Sequence, residues 1–315
     1  MSTCVSIGRS SARCYEAQVS FARPPALRPG DTVAVIAPAG PFDRASFDAG
    51  LGLLSARYRP VYDEGLFSQE RYLAGDDDRR LRELHRALTD DSTRGIFVAR
   101  GGYGSMRLLR KLSLPARPRV LVGFSDITAL HGALQTSGWM SVHGPVLTQL
   151  GKQPPEVAQR LFSLVESGQA PVLLGGRSLI AGIAEGPLVG GNLSVLTRLV
   201  GTPFMPPLQG AVLLLEDVGE RPYRLDRMWT HLALAGVFDQ VAGIALGDFT
   251  GCEEQGADYR SDDVLRALAE QTGLPCAAGF GIGHGEVNQP VPLGCRVRLD
   301  ARAGTLEPLE PAVEV

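Results

Sequence analysis

Thr32-Val-Ala-Val-Ile-Ala-Pro-Ala-Gly-Pro41 decides the fold class. Its first six residues form a continuous apolar, β-rich run, the pattern of a strand buried on both faces. Pro38-Ala-Gly-Pro41 breaks it. Asp43 can then cap a helix that places Phe47, Leu51 and Leu54 on one face. Working outward, Pro60-Val-Tyr62 suits a short second strand, and Asp76-Asp-Asp78 precedes a helix with Leu81, Leu84 and Leu88 in register. The three acids fit a cap with favourable charge at a helix N-terminus better than a metal site. Gly95-Ile-Phe-Val98 and Val120-Leu-Val-Gly123 are further strands, followed by helices over 106–112 and 126–135. Strand–helix alternation across 30–145 predicts a doubly wound parallel sheet, with chemistry at the carboxyl ends of its strands.

The rest of the chain divides around this unit. Residues 1–26 read as a disordered or leader-like extension: 1–24 hold five serines, three arginines and one acid, without the continuous apolar stretch of a secretory signal. Residues 27–150 form the α/β domain. Residues 151–180, with Pro154-Pro155, a helix near 156–167 and Gly175-Gly176, read as a linker. Residues 181–315 form a second domain of mixed α+β or barrel-like type. Its strands are expected at 211–215, 241–246 and near 276–280, and its helices at 193–200, 222–235 and 261–271.

Composition excludes several classes of function. The 315 residues are 44% apolar and 21% charged, which rules out bulk disorder. Thirty-one basic and 34 acidic residues leave a net charge of −3, no strong field for nucleic acid or an anionic membrane. Of the basic residues only Lys111 and Lys152 are lysines. The five cysteines, Cys4, Cys14, Cys252, Cys276 and Cys295, form no CxxC pair. A zinc ribbon, a thioredoxin-like site and a disulfide scaffold are therefore disfavoured, and a reducing cytoplasm is the default. No apolar run reaches the roughly 18 residues of a membrane span.

Four segments carry candidate chemistry. Gly123-Phe-Ser-Asp126 sits where a buried strand meets a helix. A serine at such a turn projects its hydroxyl from the sheet, and the next N–H faces any oxyanion formed there. Ile127 replaces the second glycine of the G-x-S-x-G pattern, so Ser125 or Asp126 acting only as a helix cap is the alternative. Arg100-Gly-Gly-Tyr-Gly104 could cradle a phosphate, supply an oxyanion donor or be a tight turn. Glu216 ends the apolar run Leu213-Leu-Leu215. It needs a partner there, either a histidine it orients or an arginine of Arg221-Pro-Tyr-Arg224. Gly281-Ile-Gly-His-Gly285 holds His284 between glycines, with His143 of Val142-His-Gly-Pro145 as its rival for a catalytic role. His131 follows the serine turn on the same helix, whereas His85 and His231 fit surface or packing positions.

Taken together, these segments resemble the LD-carboxypeptidase family of serine peptidases, which includes muropeptide LD-carboxypeptidases and microcin C immunity peptidases. The matching motifs are Thr32–Ala39, Arg100–Gly104, Val122–Asp126, Val142–Pro145, Gly190-Gly-Asn-Leu-Ser194, Leu215–Val218, Tyr223-Arg-Leu-Asp-Arg227 and Gly283-His284. The resemblance implies a flavodoxin-like first domain and a smaller β-rich second domain. It implies a Ser125–Glu216–His284 triad, with oxyanion donors at Gly102 and Asp126, no metal or organic cofactor, and a homodimer. The implied activity is cytoplasmic release of the terminal D-alanine from murein tetrapeptides in cell-wall recycling, with no nucleic-acid or membrane partner. A cation for the substrate carboxylate is expected at Arg100 or Arg224, with Tyr103 as a further contact. Two alternatives stand beside this reading. One is a microcin-immunity-type peptidase acting on an acyl-adenylate-like antibiotic, which needs an aromatic to stack on the base. Trp139 and Trp229 lie in no obvious site loop. The other is a non-catalytic binding module on the same scaffold. The separations, 91 residues from Ser125 to Glu216 and 68 from Glu216 to His284, require the triad to close across a domain interface.

Overall fold

The computed structural model describes residues 20–315, and the extension over 1–19 lies outside the described residues. Two sheets organise the chain. The first contains β1 (Thr32–Ile36), β2 (Arg59–Val61), β3 (Gly95–Val98), β4 (Val120–Gly123) and β5 (Ser141–His143), in the order 2-1-3-4-5 and all parallel. That is the flavodoxin-like order. Helices α1 (Arg44–Ser55), α2 (Asp77–Thr89), α3 (Thr128–Thr136), α4 (Leu147–Leu150) and α5 (Pro155–Ser167) cover it. The strand residues alternate between two cores. Val33, Val35 and Ala37 pack with α1, α4 and α5, while Ala34 and Ile36 pack with α2 and α3. A strand buried on both faces must be apolar throughout, which is why 32–37 reads as an unbroken run.

The second sheet holds β6 (Arg177–Ile180), β7 (Ile183–Asn192), β8 (Val212–Val218), β9 (Gly243–Thr250) and β10 (Cys276–Ala278). Between them lie α6 (Leu193–Leu199), α7 (Pro222–Leu234) and α8 (Ser261–Thr272). Strands β7 to β10 are parallel, and β12 (Arg296–Asp300), β13 (Thr305–Pro308) and β6 close the edges antiparallel. The centre of this half is thus a run of βαβ units, more regular than the mixed pattern expected from sequence, and the sheet curls into a half-barrel. Helices α6, α7 and α8 lie on one face against Leu213, Leu215 and Ile244, and Leu188, Leu214 and Val297 fill the other.

The chain does not keep to the boundaries read from its sequence. β11 (Val291–Leu293) pairs antiparallel with β5 and so adds a sixth strand to the first sheet, with Val291 opposite His143. Ala312 and Val313 enter the first core too, and α5, placed in the linker, packs Leu161, Leu164 and Val165 there. Order also begins before Leu27. Phe21 is buried with Met140 and Cys295, Ala22 bridges Trp139, and Arg23 pairs with Glu310. Such long-range pairing is invisible locally, because a three-residue strand carries no period that names its partner.

Gly50 decides a close approach in the first core. A β-carbon there would lie 1.9 Å from the Leu147 carbonyl oxygen. Gly50→Ala should favour the helix by about 1 kcal/mol through propensity. The clash is with backbone, which cannot yield, and overpacking costs about 1–3 kcal/mol. We expect Gly50→Ala to lower the melting temperature by several degrees. A variant that melts at or above the wild-type temperature would show that α1 and α4 can separate freely.

Candidate active site

Ser125 follows β4 in a short 3-10 turn over Ser125–Ile127 that leads into α3. Its φ is +65°, a left-handed conformation that costs a non-glycine residue about 1–3 kcal/mol and clusters at active sites. The surroundings hold it there. Asp126 accepts the Ser105 N–H at 2.8 Å, and the Ser105 hydroxyl donates to the Asp126 carbonyl at 2.6 Å. Neither Ser125 nor Asp126 caps the helix with its side chain, so the capping alternative fails. Asp126 is buried, and that burial raises its pKa.

The glycine-rich turn after β3 packs directly on the serine. A β-carbon on Gly101 would come within 2.9 Å of the Ser125 β-carbon and 3.2 Å of its Oγ. The turn is held from below by Arg80, whose side chain is fully buried. It donates to the carbonyls of Pro38 and, at 2.9 Å, Gly104, and pairs with Asp77. Gly102 is exposed with φ +101°, and Gly40 N–H donates to the Gly101 carbonyl at 2.9 Å.

Glu216 and His284 come from the second half. Glu216 lies on β8 where the pairing with β9 shifts register, and it is wholly buried. Its Oε2 lies 2.7 Å from His284 Nδ1, and His284 Nε2 lies 3.0 Å from Ser125 Oγ. The three residues thus form one continuous chain of hydrogen bonds, each within reach of proton transfer. Glu216 does not pair with an arginine; those of 221–224 meet Glu254 and Glu220 instead. Gly283 makes room for the carboxylate, since a β-carbon there would sit 2.4 Å from Oε2.

Further side chains, not expected at the site from the sequence, support this array. Phe124 packs its ring 4.7 Å from that of His284 and 5.7 Å from that of His143. Asn288, fully buried, accepts the Gly283 N–H at 2.9 Å, donates its own N–H to Gln153 at 2.8 Å and its side-chain amide to Gln149 at 3.0 Å. One asparagine therefore ties the histidine loop to the first half of the chain. Asn192 does the like nearby: its N–H donates to Thr128 Oγ1 at 2.9 Å, and its side chain to Asp217 at 3.1 Å. Burial first, and Glu216 beside it, raise the Asp217 pKa to about 6.

The remaining candidates divide. His143 is fully buried, neither ring nitrogen has a partner, and desolvation holds its pKa well below the usual histidine value. It packs behind Phe124 and makes no hydrogen bond to Ser125, Glu216 or His284. His131 is buried between Ser141 Oγ at 2.8 Å and the Gly123 carbonyl at 2.9 Å, and desolvation lowers its pKa to about 4. Arg100 and Tyr103 flank the turn beside Ser125. The Arg100 guanidinium is spent on the Pro41 carbonyl, and exposed Tyr103 stacks edge-on with Tyr72 at 5.6 Å. Arg224, on the first turn of α7, pairs with Glu220 at 3.3 Å. Among the described residues no group of three or more histidine, cysteine or acidic side chains could hold a metal.

Comparison with known proteins matches this geometry to a family. Residues 33–144 match the LD-carboxypeptidase N-terminal domain, and residues 185–299 the LD-carboxypeptidase C-terminal domain. The chain belongs to the LD-carboxypeptidase family. Within this family it is 37% identical over 296 residues to the "Probable murein peptide carboxypeptidase" of Bacillus subtilis, covering 90% of this chain and 93% of that one. It is 34% identical over 282 residues to the murein tetrapeptide carboxypeptidase of Pseudomonas aeruginosa, covering 83% and 91%. The same two-sheet fold occurs in the microcin C7 self-immunity protein in its wild-type apo state, with a TM-score of 0.84 at 22% identity over 93% and 99% of the two chains.

An activated serine should react with a fluorophosphonate probe. We expect the wild-type protein to be labelled at Ser125 and Ser125→Ala to stay unlabelled. Asn288→Ala, which frees the histidine loop, should slow labelling about tenfold or more, the factor carried by about 1.4 kcal/mol. Unchanged labelling of Asn288→Ala would show that the loop is held by other contacts.

Proposed function

We propose that this protein is a serine LD-carboxypeptidase that releases the terminal D-alanine from murein tetrapeptides. The observation that carries the proposal is the unbroken Glu216–His284–Ser125 chain, at 2.7 and 3.0 Å. The relatives named for murein peptides supply the substrate class. His284 takes the Ser125 proton at Nε2 as Oγ attacks the carbonyl before D-alanine. Glu216, accepting from Nδ1, fixes the tautomer and stabilises the imidazolium. The tetrahedral oxyanion is held by the amides of Gly102 and Asp126, the first on an exposed left-handed glycine, the second at the start of the helical turn. Collapse breaks the C–N bond, and His284 returns its proton to the departing amine. Water then enters by the same base catalysis, cleaves the acyl-enzyme and frees Ser125. A carboxypeptidase must also meet the free carboxylate of its substrate. Arg100 and Arg224 are the proposed cations; each would have to leave its present partner.

The setting proposed is the cytoplasm. Cys252, Cys276 and Cys295 are buried free thiols, which suits a reducing compartment. No helix of the described residues is long and apolar enough to cross a membrane. A microcin-immunity-type activity draws less support. Both tryptophans are core residues, Trp229 stacked on Phe238 and Trp139 packed against the first sheet, so neither can stack on a base.

Mass spectrometry of a murein tetrapeptide incubated with the protein tests the reaction. We expect loss of one D-alanine with wild type and none with Ser125→Ala, whose fold should be intact because the side chain is small. His284→Ala should lose at least about 10³-fold in turnover, the scale on which triad members fail. His143→Ala should lose far less, through packing behind Phe124. Equal losses at the two histidines, or a larger loss at His143, would overturn the assignment of the base.

A homodimer is proposed on family resemblance. Light scattering at micromolar concentrations should report twice the mass of the chain; a monomer throughout that range would refute it.

A further inference from the structure

Asp248 is an ionisable residue beside the triad that the mechanism leaves idle. It lies on β9, next to the strand that carries Glu216. Its N–H donates to the Ile282 carbonyl at 2.8 Å, which fixes it beside the histidine loop. Its carboxylate rests against the residue after His284: a β-carbon on Gly285 would stand 2.3 Å from Oδ2. The side chain is half-buried. Among the described residues it accepts no hydrogen bond and pairs with no cation, and the neighbouring Glu216 carboxylate repels its charge.

Other desolvated carboxylates of this chain are matched from within. Glu83 accepts the Ala37 N–H and pairs with Arg79. Asp126 accepts from Ser105, and Asp217 from Asn192, Ser194 and Val218. Asp248 lacks such partners, and an unpaired carboxylate taken partly out of water costs free energy. Burial first, and then repulsion from Glu216, raise its pKa. The group that would complement it is an ammonium, which supplies N–H donors and cancels the repulsion. A carboxamide or hydroxyl would do only the first. Asp248 is not needed to hold the loop, since its backbone makes that bond. Its side chain is therefore free for a ligand.

The murein tetrapeptide carries such a group next to the scissile bond: the residue whose carbonyl is attacked is a diamino acid. We propose that Asp248 binds the side-chain ammonium of that residue and thereby selects peptides with an amine-bearing third position. The proposal rests on the murein-tetrapeptide reading above. It makes Asp248 a specificity residue, with no part in proton transfer.

Three tetrapeptides that differ only at the third position decide it: lysine, meso-diaminopimelate and norleucine. The readout is kcat/KM for D-alanine release. Wild type should prefer one or both amine-bearing peptides over norleucine by about tenfold or more, the scale of a hydrogen bond to a charged group. Asp248→Asn, which keeps the shape and removes the charge, should lose that factor on the amine-bearing peptides and retain the wild-type rate on norleucine. Equal use of all three peptides by wild type would overturn the proposal, whatever the variant does. So would an Asp248→Asn variant that falls equally on all three, the result of a merely structural role, or one that keeps the wild-type preference. Release from none of the peptides by wild type would instead overturn the proposed function, and this proposal with it.

Discussion

His284 reaches Ser125 because the loop that carries it is fastened to both halves of the chain. Its ring is held by Glu216 at 2.7 Å from the second sheet. Its backbone is held by Asn288, which bonds Gly283 on one side and Gln149 and Gln153 on the other. A hydrogen bond of 3.0 Å to the serine leaves little tolerance, since misplacement by about 1 Å costs about 10²-fold in rate. Two rigid bodies joined by a flexible linker would not meet that tolerance. Strand β11, the C-terminal Ala312 and Val313, and the Asn192–Thr128 bond all return the second half to the first.

Glycine recurs around this array for a steric reason. Gly101 lets the turn after β3 lie on Ser125, and Gly283 lets the loop lie on the Glu216 carboxylate. In each case a β-carbon would crowd an atom of the Ser125–His284–Glu216 array. The buried Arg80 serves the same end from below, bonding the carbonyls at the ends of the two turns that frame the serine. Burial also separates the histidines chemically. His131 and His143 are buried away from water, which favours the neutral ring, whereas His284 keeps a carboxylate partner and partial contact with solvent.

Much of the first half was legible from the residues. A strand buried on both faces must be apolar at each position, so β1, β3 and β4 stand out as runs, and their alternation with helices fixes a parallel sheet. The serine turn was legible as a candidate because a polar residue at the end of such a run needs a reason. The pairing of Glu216 with His284, by contrast, came from the order and number of short motifs, since spacing alone left Glu216 free to meet an arginine.

What the sequence by itself determined is the set of elements and the types of chemistry they could carry: a hydroxyl at a tight turn, a carboxylate at a strand end, a histidine among glycines. Tertiary structure alone decided that Asn288 ties the histidine loop to the first half, that β11 joins the first sheet, that residues 20–26 and 155–167 belong to the packed body, and that Asp248 stands beside the histidine loop. The physical reason is common to all four. Periodicity reports whether a residue faces a core, because burial depends on the local repeat. It carries no information about which distant residue lies across that core, and each of these facts is a contact between residues far apart in the chain.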